Sequence, residues 1–469
     1  MTSPSSSTPE LNPPLGSPVI PWLNPLKSYL FFGQDPTPEL IAILLVYFVQ
    51  GILGLSRLAV TFFLKDNLGL SPAETAALTG LAILPWTIKP VFGFLSDGFP
   101  IGGYRRRPYL IGSGLLGCGS WIFLATLTGE HLPQDKWFAT LAIVLTSLSI
   151  AVGDVIADSI VAERAREESQ SQAGSLQSLC WSTMAIGGLL TAYLSGFLLE
   201  QLGTRSLFLI TASFPLLVSW AAVLITEEPS DRRNWDGIKQ QTIALWEAVR
   251  QRSIWMPTLF ICIWQATPNA ESAFFYFSTN ELEFTPEFLG RIRLVTSLAG
   301  FLGIWIFQRF FKAIPFRSIL GWMIVISTLL GLTTLLLVTH SNRALGIDDR
   351  WFSLGDTLIL TLAGEIAFMP ILVLAARICP PGVEATLFAL LMSLLNLSGL
   401  LSREFGALLT QWLNVTEIDF SNLWLLLLIT NLSNLIPLPF LRLLPKASAT
   451  ELDPADPVPL DKSGAESSC

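Results

Sequence analysis

The chain has 469 residues, 51% hydrophobic and only 14% charged, with a formal net charge of −8 and a mean hydropathy of +0.56. A soluble domain carries about 25% charged residues, so the composition excludes an ordinary water-facing surface, and the acidic balance excludes nucleic acid as a partner. Five cysteines without a CxxC spacing, and two histidines, His131 and His340, lead us to expect neither a disulfide frame nor a metal site nor a cofactor.

Residues 1–38 are rich in Ser and Pro and nearly free of basic residues. They match neither a secretory signal nor an Arg-rich transit peptide and read as a disordered tail. A helix needs about 20 mainly apolar residues to cross the hydrocarbon layer. Twelve stretches qualify: near 39–64, 73–95, 109–129, 137–161, 173–199 and 205–226, then near 254–279, 288–310, 318–339, 353–377, 383–412 and 420–444. Between the two sets, 227–253 is hydrophilic, with Ile238, Leu245, Trp246 and Val249 at helical spacing, which predicts an amphipathic linker helix. Residues 446–469 form an acidic tail, expected to be disordered.

Basic residues alternate between loops. Arg105, Arg106 and Arg107 follow the second span, Arg164 and Arg166 the fourth, and Arg232, Arg233, Lys239, Arg250 and Arg252 the sixth. The positive-inside rule then puts both termini and the linker in the cytoplasm. The expectation is an all-α membrane protein of 12 transmembrane helices in two six-helix halves, 39–226 and 254–445, which is the plan of the major facilitator fold.

After the second span stands Gly93-Phe-Leu-Ser-Asp97, followed by Arg105-Arg106-Arg107-Pro108. It resembles the loop signature of the major facilitators, and that resemblance implies a gate in which Gly93 permits close helix approach and Asp97, Arg105 and Arg106 form a charge relay. A positive-inside anchor explains the arginines as well.

Further runs narrow the resemblance: Asp154-Val-Ile-Ala-Asp158 with Glu163-Arg164; Gly174-Ser-Leu-Gln177 with Trp181; Ala266-Thr-Pro268-Asn269-Ala-Glu271; Phe368-Met-Pro370; and Gly103-Tyr-Arg-Arg-Arg-Pro-Tyr109. Together they are similar to the folate–biopterin transporter family over roughly residues 40–445. The resemblance implies alternating-access movement of folate or a pterin, and a multi-pass protein of a bacterial inner membrane, cyanobacterial in type, or of a plastid envelope.

A charge inside a span costs about 2.5–3.5 kcal/mol on insertion scales, so each needs a partner or water. Asp154 and Asp158 share a face of the fourth helix. Two close carboxylates repel, which suits a proton-coupling site; alternatively they neutralise Lys89 or Arg57. Those two cations could instead bind the carboxylates of a folate. Gln177 and Trp181 share one face, and Gln265, Asn269 and Tyr276 another, and either could meet a flat pterin or serve as polar glue. Glu271 and Glu365 are further proton candidates. Arg291 and Arg293 read as rim residues, and Arg403 and Glu404 as pairing separately. The candidate partners are a folate or pterin, a proton and the bilayer, with the chain a monomer. The rival readings are a facilitator of another aromatic anion or metabolite, and a membrane receptor.

Overall fold

The computed structural model describes residues 36–129, 135–165, 175–227, 229, 235–378 and 384–446. The expected tails, apart from their few innermost residues, and the Arg166 and Arg232–Arg233 loop segments lie outside these.

The described residues are nearly all helical. Ten helical stretches among them are long and apolar enough to cross a membrane. One of them, within Ser175–Leu224, is two helices, so they carry eleven labels: α1 (Pro38–Asn67), α2 (Pro72–Gly98), α3 (Arg107–Leu127), α4 (Lys136–Ala165), α5 and α6 within Ser175–Leu224, α10 (Pro286–Phe311), α11 (Phe316–Val338), α12 (Asp349–Arg377), α13 (Glu384–Trp412) and α14 (Leu423–Leu443). The Ser175–Leu224 stretch bends at Gly203, whose φ of 73° no helix contains, so α5 ends before it and α6 begins after it. The linker helix is α7 (Trp235–Arg250), and the expected seventh span is two shorter helices, α8 (Arg252–Gln265) and α9 (Glu271–Asn280).

Local chemistry explains where helices start and break. Three begin on a hydroxyl followed by proline. Thr37 Oγ1 accepts from the Leu40 N–H, Thr285 Oγ1 accepts from the Phe288 N–H, and Ser71 forms a reciprocal box with Glu74; proline at the first helical position loses nothing, because that N–H is unpaired anyway. Pro268 removes the N–H that would reach the Trp264 carbonyl. The Thr267 hydroxyl donates to that carbonyl at 3.1 Å, and the Ser402 hydroxyl of α13 takes up the Thr267 carbonyl at 2.6 Å. The broken backbone is thereby satisfied without water, as a low-dielectric interior demands.

Burial separates the helices into clusters. Leu40, Ile43, Leu110, Ile156 and Leu176 pack in one, entirely from residues before 226; Phe260, Phe316, Ile371 and Leu387 in another, entirely from residues after 244. A third, around Leu337 and Leu423, also stays in the later helices. The fourth crosses: Leu55, Phe63 and Phe208 pack with Phe284, Phe288 and Leu289. It lies at the end of the molecule where α1 and α2 meet α9 and α10. There the rings of Phe62 and Phe275 meet edge-on at 5.3 Å, and Gly290 of α10 lies against Gly196 of α5. This end is closed by dry packing. At the opposite end the two sets of helices meet through α2, α7 and α13.

The linker stripe is corrected in one particular. Leu245 and Val249 pack on the later helices as expected, but Trp246 is 62% exposed and stacks its ring on Arg250. Residues one position apart on a helix diverge by about 100°, so Leu245 and Trp246 cannot both face the core.

A Cβ on Gly290 would fall 2.8 Å from the Tyr193 carbonyl oxygen. Gly290→Val is expected to force α5 and α10 apart and to destabilise the protein by about 1–3 kcal/mol. Thermal unfolding in detergent measures this, and an unchanged transition temperature would argue against the close approach.

Candidate functional site

Two charged clusters lie within the helices. The first depends on breaks in α2. Pro85 and Pro90 interrupt its hydrogen bonding, and Ile88 leaves helical geometry at φ −108°, ψ 18°. The Ala82 carbonyl released at the first break accepts the Ser147 hydroxyl, and Ser147 accepts the Trp86 indole N–H at 3.1 Å. Trp86 is held so that its ring lies 4.9 Å from the Lys89 ammonium.

Lys89 is ion-paired to Asp154 and stands 3.9 Å from Asp158, and the Tyr47 hydroxyl of α1 donates to Asp158. The one-turn spacing of the two acids on α4 therefore does bring both to one cation. Lys89 and Asp154 are enclosed, with 13% and 12% of their side chains exposed, whereas Asp158 has 48% exposed. One ammonium facing two carboxylates leaves one negative charge in excess. Asp158 is the more exposed of the two acids.

The second cluster lies between the earlier and later helices. Leu53–Ser56 of α1 tightens into a 3-10 turn, and Arg57 stands where the α-helix resumes, exposed between buried neighbours. On α10 the guanidinium of Arg293 feels the charges of Arg57 and of Glu271 on α9. Glu271 also pairs with Arg403 of α13 at 3.3 Å. Arg291, two residues earlier, does sit at the rim and pairs with Glu287 at 2.7 Å. Arg293 does not. Two positions turn a helix by about 200°, which carries Arg293 to the inward side and corrects its placement at the rim.

The chain matches the BT1 family model over residues 50–458. This chain belongs to the BT1 family. It is 60% identical over 432 residues to a protein of Synechocystis sp. named folate-biopterin transporter, covering 91% of this chain and 86% of that one. Similarity extends to a probable folate-biopterin transporter 2 of Arabidopsis thaliana, 32% identical over 91% of this chain and 86% of the relative, and to folate transporter 1 of Plasmodium falciparum, 32% identical over 90% and 81%. Among solved structures the chain superposes on a D-xylose–proton symporter with TM-score 0.63, covering 88% of this chain and 98% of that one, and on the nucleoside transporter NupG with TM-score 0.65, covering 86% and 98%. At 13% identity these show the fold alone, and it is the fold of the major facilitator transporters.

In this BT1-family chain the expected site residues divide. Lys89, Asp154 and Asp158 converge as described. Gln177 and Trp181 share a face of α5, Gln177 half-buried and Trp181 exposed. Gln265 turns its amide towards Gly399 of α13. Asn269 is engaged: its amide donates to Ser402 Oγ at 2.9 Å and its oxygen accepts the Glu271 N–H, so it secures the break between α8 and α9. Tyr276 is corrected. It is fully buried at the closed end, its hydroxyl donating to the Leu70 carbonyl and meeting Thr75 Oγ1 at 2.8 Å; its polar atom is used in joining α9 to α2. Glu271 belongs to the arginine cluster. Glu365 of α12 does not; it lies beside Gly300 and Gly303 of α10.

The loop after α2 holds the expected pairing on one arginine. Arg106 Nη1 reaches Asp97 at 2.8 Å and donates to Ser96 Oγ at 3.0 Å. Gly102 and Gly103 take φ of 61° and 84° in the turn that returns the chain, which is how a longer spacing still closes the pair. Close helix approach at Gly93 is not observed: a Cβ there would meet Val155 at an ordinary 3.7 Å.

Sequence reading missed Glu227. Its carboxylate accepts the backbone N–H groups of Arg105, Arg106 at 3.0 Å and Arg107 at 3.1 Å, capping α3 where the helix dipole favours an anion. It also missed Tyr47 and Trp86, whose only sequence signal is a polar-tipped aromatic within an apolar run. Replacing Glu227 with alanine orphans three N–H groups and should destabilise the protein by about 1–2 kcal/mol; a thermal melt matching wild type would remove the cap from the account.

Proposed function

We propose that this chain moves folate or a related pterin across a membrane by alternating access, driven by a proton. The substrate class rests on the transporter names borne by its relatives. The coupling rests on one observation, the placement of Asp154 and the more exposed Asp158 around a single Lys89.

In this reading twelve crossings form two six-helix halves, 39–226 and 254–445, joined by the linker at 227–253, and the halves rock about the cluster region. The closed end faces outward, and both termini and the Asp97–Arg106 pair face the cytoplasm, as the basic loops require. The membrane is the inner membrane of a bacterium, consistent with the cyanobacterial relative. One chain suffices in this reading, because the residues of both clusters come from a single chain.

Arg57, Lys89, Gln177, Trp181 and Gln265 supply cations, amides and an aromatic face for a flat, hydrogen-bonding anion. Asp154 and Asp158 carry the proton, with Glu271 and Glu365 as further acids on the pathway. Loading a proton on Asp158 leaves Lys89 fully matched by Asp154 and takes away the second attraction holding α2 to α4 at this point. That change in pairing is what permits one helix to move relative to the other.

Reconstitution into liposomes with labelled folate tests the reading. Wild-type protein should accumulate folate under an inward proton gradient, and unlabelled pterins should compete where unrelated aromatic anions do not. Competition by those anions instead would favour a facilitator of another aromatic metabolite. Asp158→Asn should reduce gradient-driven uptake to the level of empty liposomes. Uptake retained with an unaltered pH profile would remove Asp158 from coupling.

A further inference from the structure

The second cluster carries an imbalance that the protein itself does not correct. Arg57, Arg293 and Arg403 contribute three positive charges, and among the described residues Glu271 is the one acid that meets them. Glu404, adjacent to Arg403, turns instead towards Gly80 of α2. Glu271 is committed to Arg403 at 3.3 Å. Among the described residues neither Arg57 nor Arg293 has an ion pair, and Arg293 Nη1 is sealed from solvent with no acceptor.

A guanidinium N–H buried without an acceptor is costly, and the like charge of Arg57 adds to that cost. Charges of this kind persist inside a bundle where they meet a ligand or a watery path. The surroundings here are built and not loose. Leu55 and Leu58 flank Arg57, Leu289 and Ile292 flank Arg293, and all four pack in the apolar cluster that joins the earlier helices to the later ones. The two arginines thus hang from opposite sides of one apolar junction. The excess over Glu271 is two positive charges, which a ligand with two carboxylates would cancel.

We propose that Arg57 and Arg293 form a carboxylate-binding subsite shared between the two halves, which takes the dicarboxylate end of a glutamate-bearing pterin and leaves the ring to other groups. The inference rests on the transport reading above and assigns its substrate selectivity. A guanidinium fork binds a carboxylate through two parallel N–H donors. A ligand gripped from α1 on one side and α10 on the other ties occupancy of the subsite to the relative position of the halves. A pterin without carboxylates gains nothing from the pair.

The test measures uptake of labelled folate and labelled biopterin side by side in liposomes holding wild type, Arg293→Gln, Arg293→Lys or Arg57→Gln. Each glutamine variant should lower the folate-to-biopterin ratio by roughly tenfold or more, through the apparent KM for folate, as expected for losing a charged hydrogen bond. Arg293→Lys, which keeps the charge and loses the fork, should recover part of the ratio. Equal losses for both substrates in both glutamine variants would mark the arginines as structural and overturn the proposal, as would an unchanged ratio. A wild-type protein that moves neither compound would overturn the transport reading itself, a result distinct from either.

Discussion

An ammonium group inside an apolar helix bundle needs a counter-charge, a ligand or water within its reach. Lys89 meets that demand by holding Asp154 and Asp158 of α4, with Tyr47 of α1 donating to the second acid. Much of the surrounding architecture serves to place this one charge. The prolines of α2 break its backbone, Ser147 satisfies the carbonyl that the break releases, and the indole fixed by Ser147 lies beside the ammonium. A local fault in a helix is thus converted into a defined position for a cation.

The seam between the earlier and later helices varies along its length. One end is apolar and tight, with aromatic rings and facing glycines in contact. The middle carries arginines and a carboxylate. At the opposite end α2 meets α7 and α13, beside the Asp97–Arg106 pair and the Glu227 cap on α3, which lie within the earlier helices. Dry packing is adhesive but not selective, whereas the polar middle is costly unless occupied. A transporter needs both properties in one seam, a contact that can separate as a unit and a region that rewards a particular ligand.

Breaks in the helices recur where chemistry is placed. Arg57 follows a 3-10 turn, Lys89 follows Ile88, and Glu271 begins the helix after the Pro268 break. In each case the polar backbone is reclaimed by a hydroxyl, an amide or a new helical turn. Irregular backbone at this depth is tolerable only under that condition.

The sequence alone determined the membrane character, the order of the apolar segments, the linker helix, and that Asp154 and Asp158 share a face and need a cation, with Lys89 and Arg57 both on offer. These follow from hydropathy, helical period and the cost of an unpaired charge, all of which act locally or within one turn. It did not determine that Arg293 turns inward while Arg291 stays at the rim, that Tyr276 is consumed in closing one end, or that Glu227 reaches back to cap α3. Those outcomes depend on the rotation of each helix about its own axis and on which neighbour it meets. Rotation is set by packing between segments far apart in the chain, and only the tertiary structure contains it.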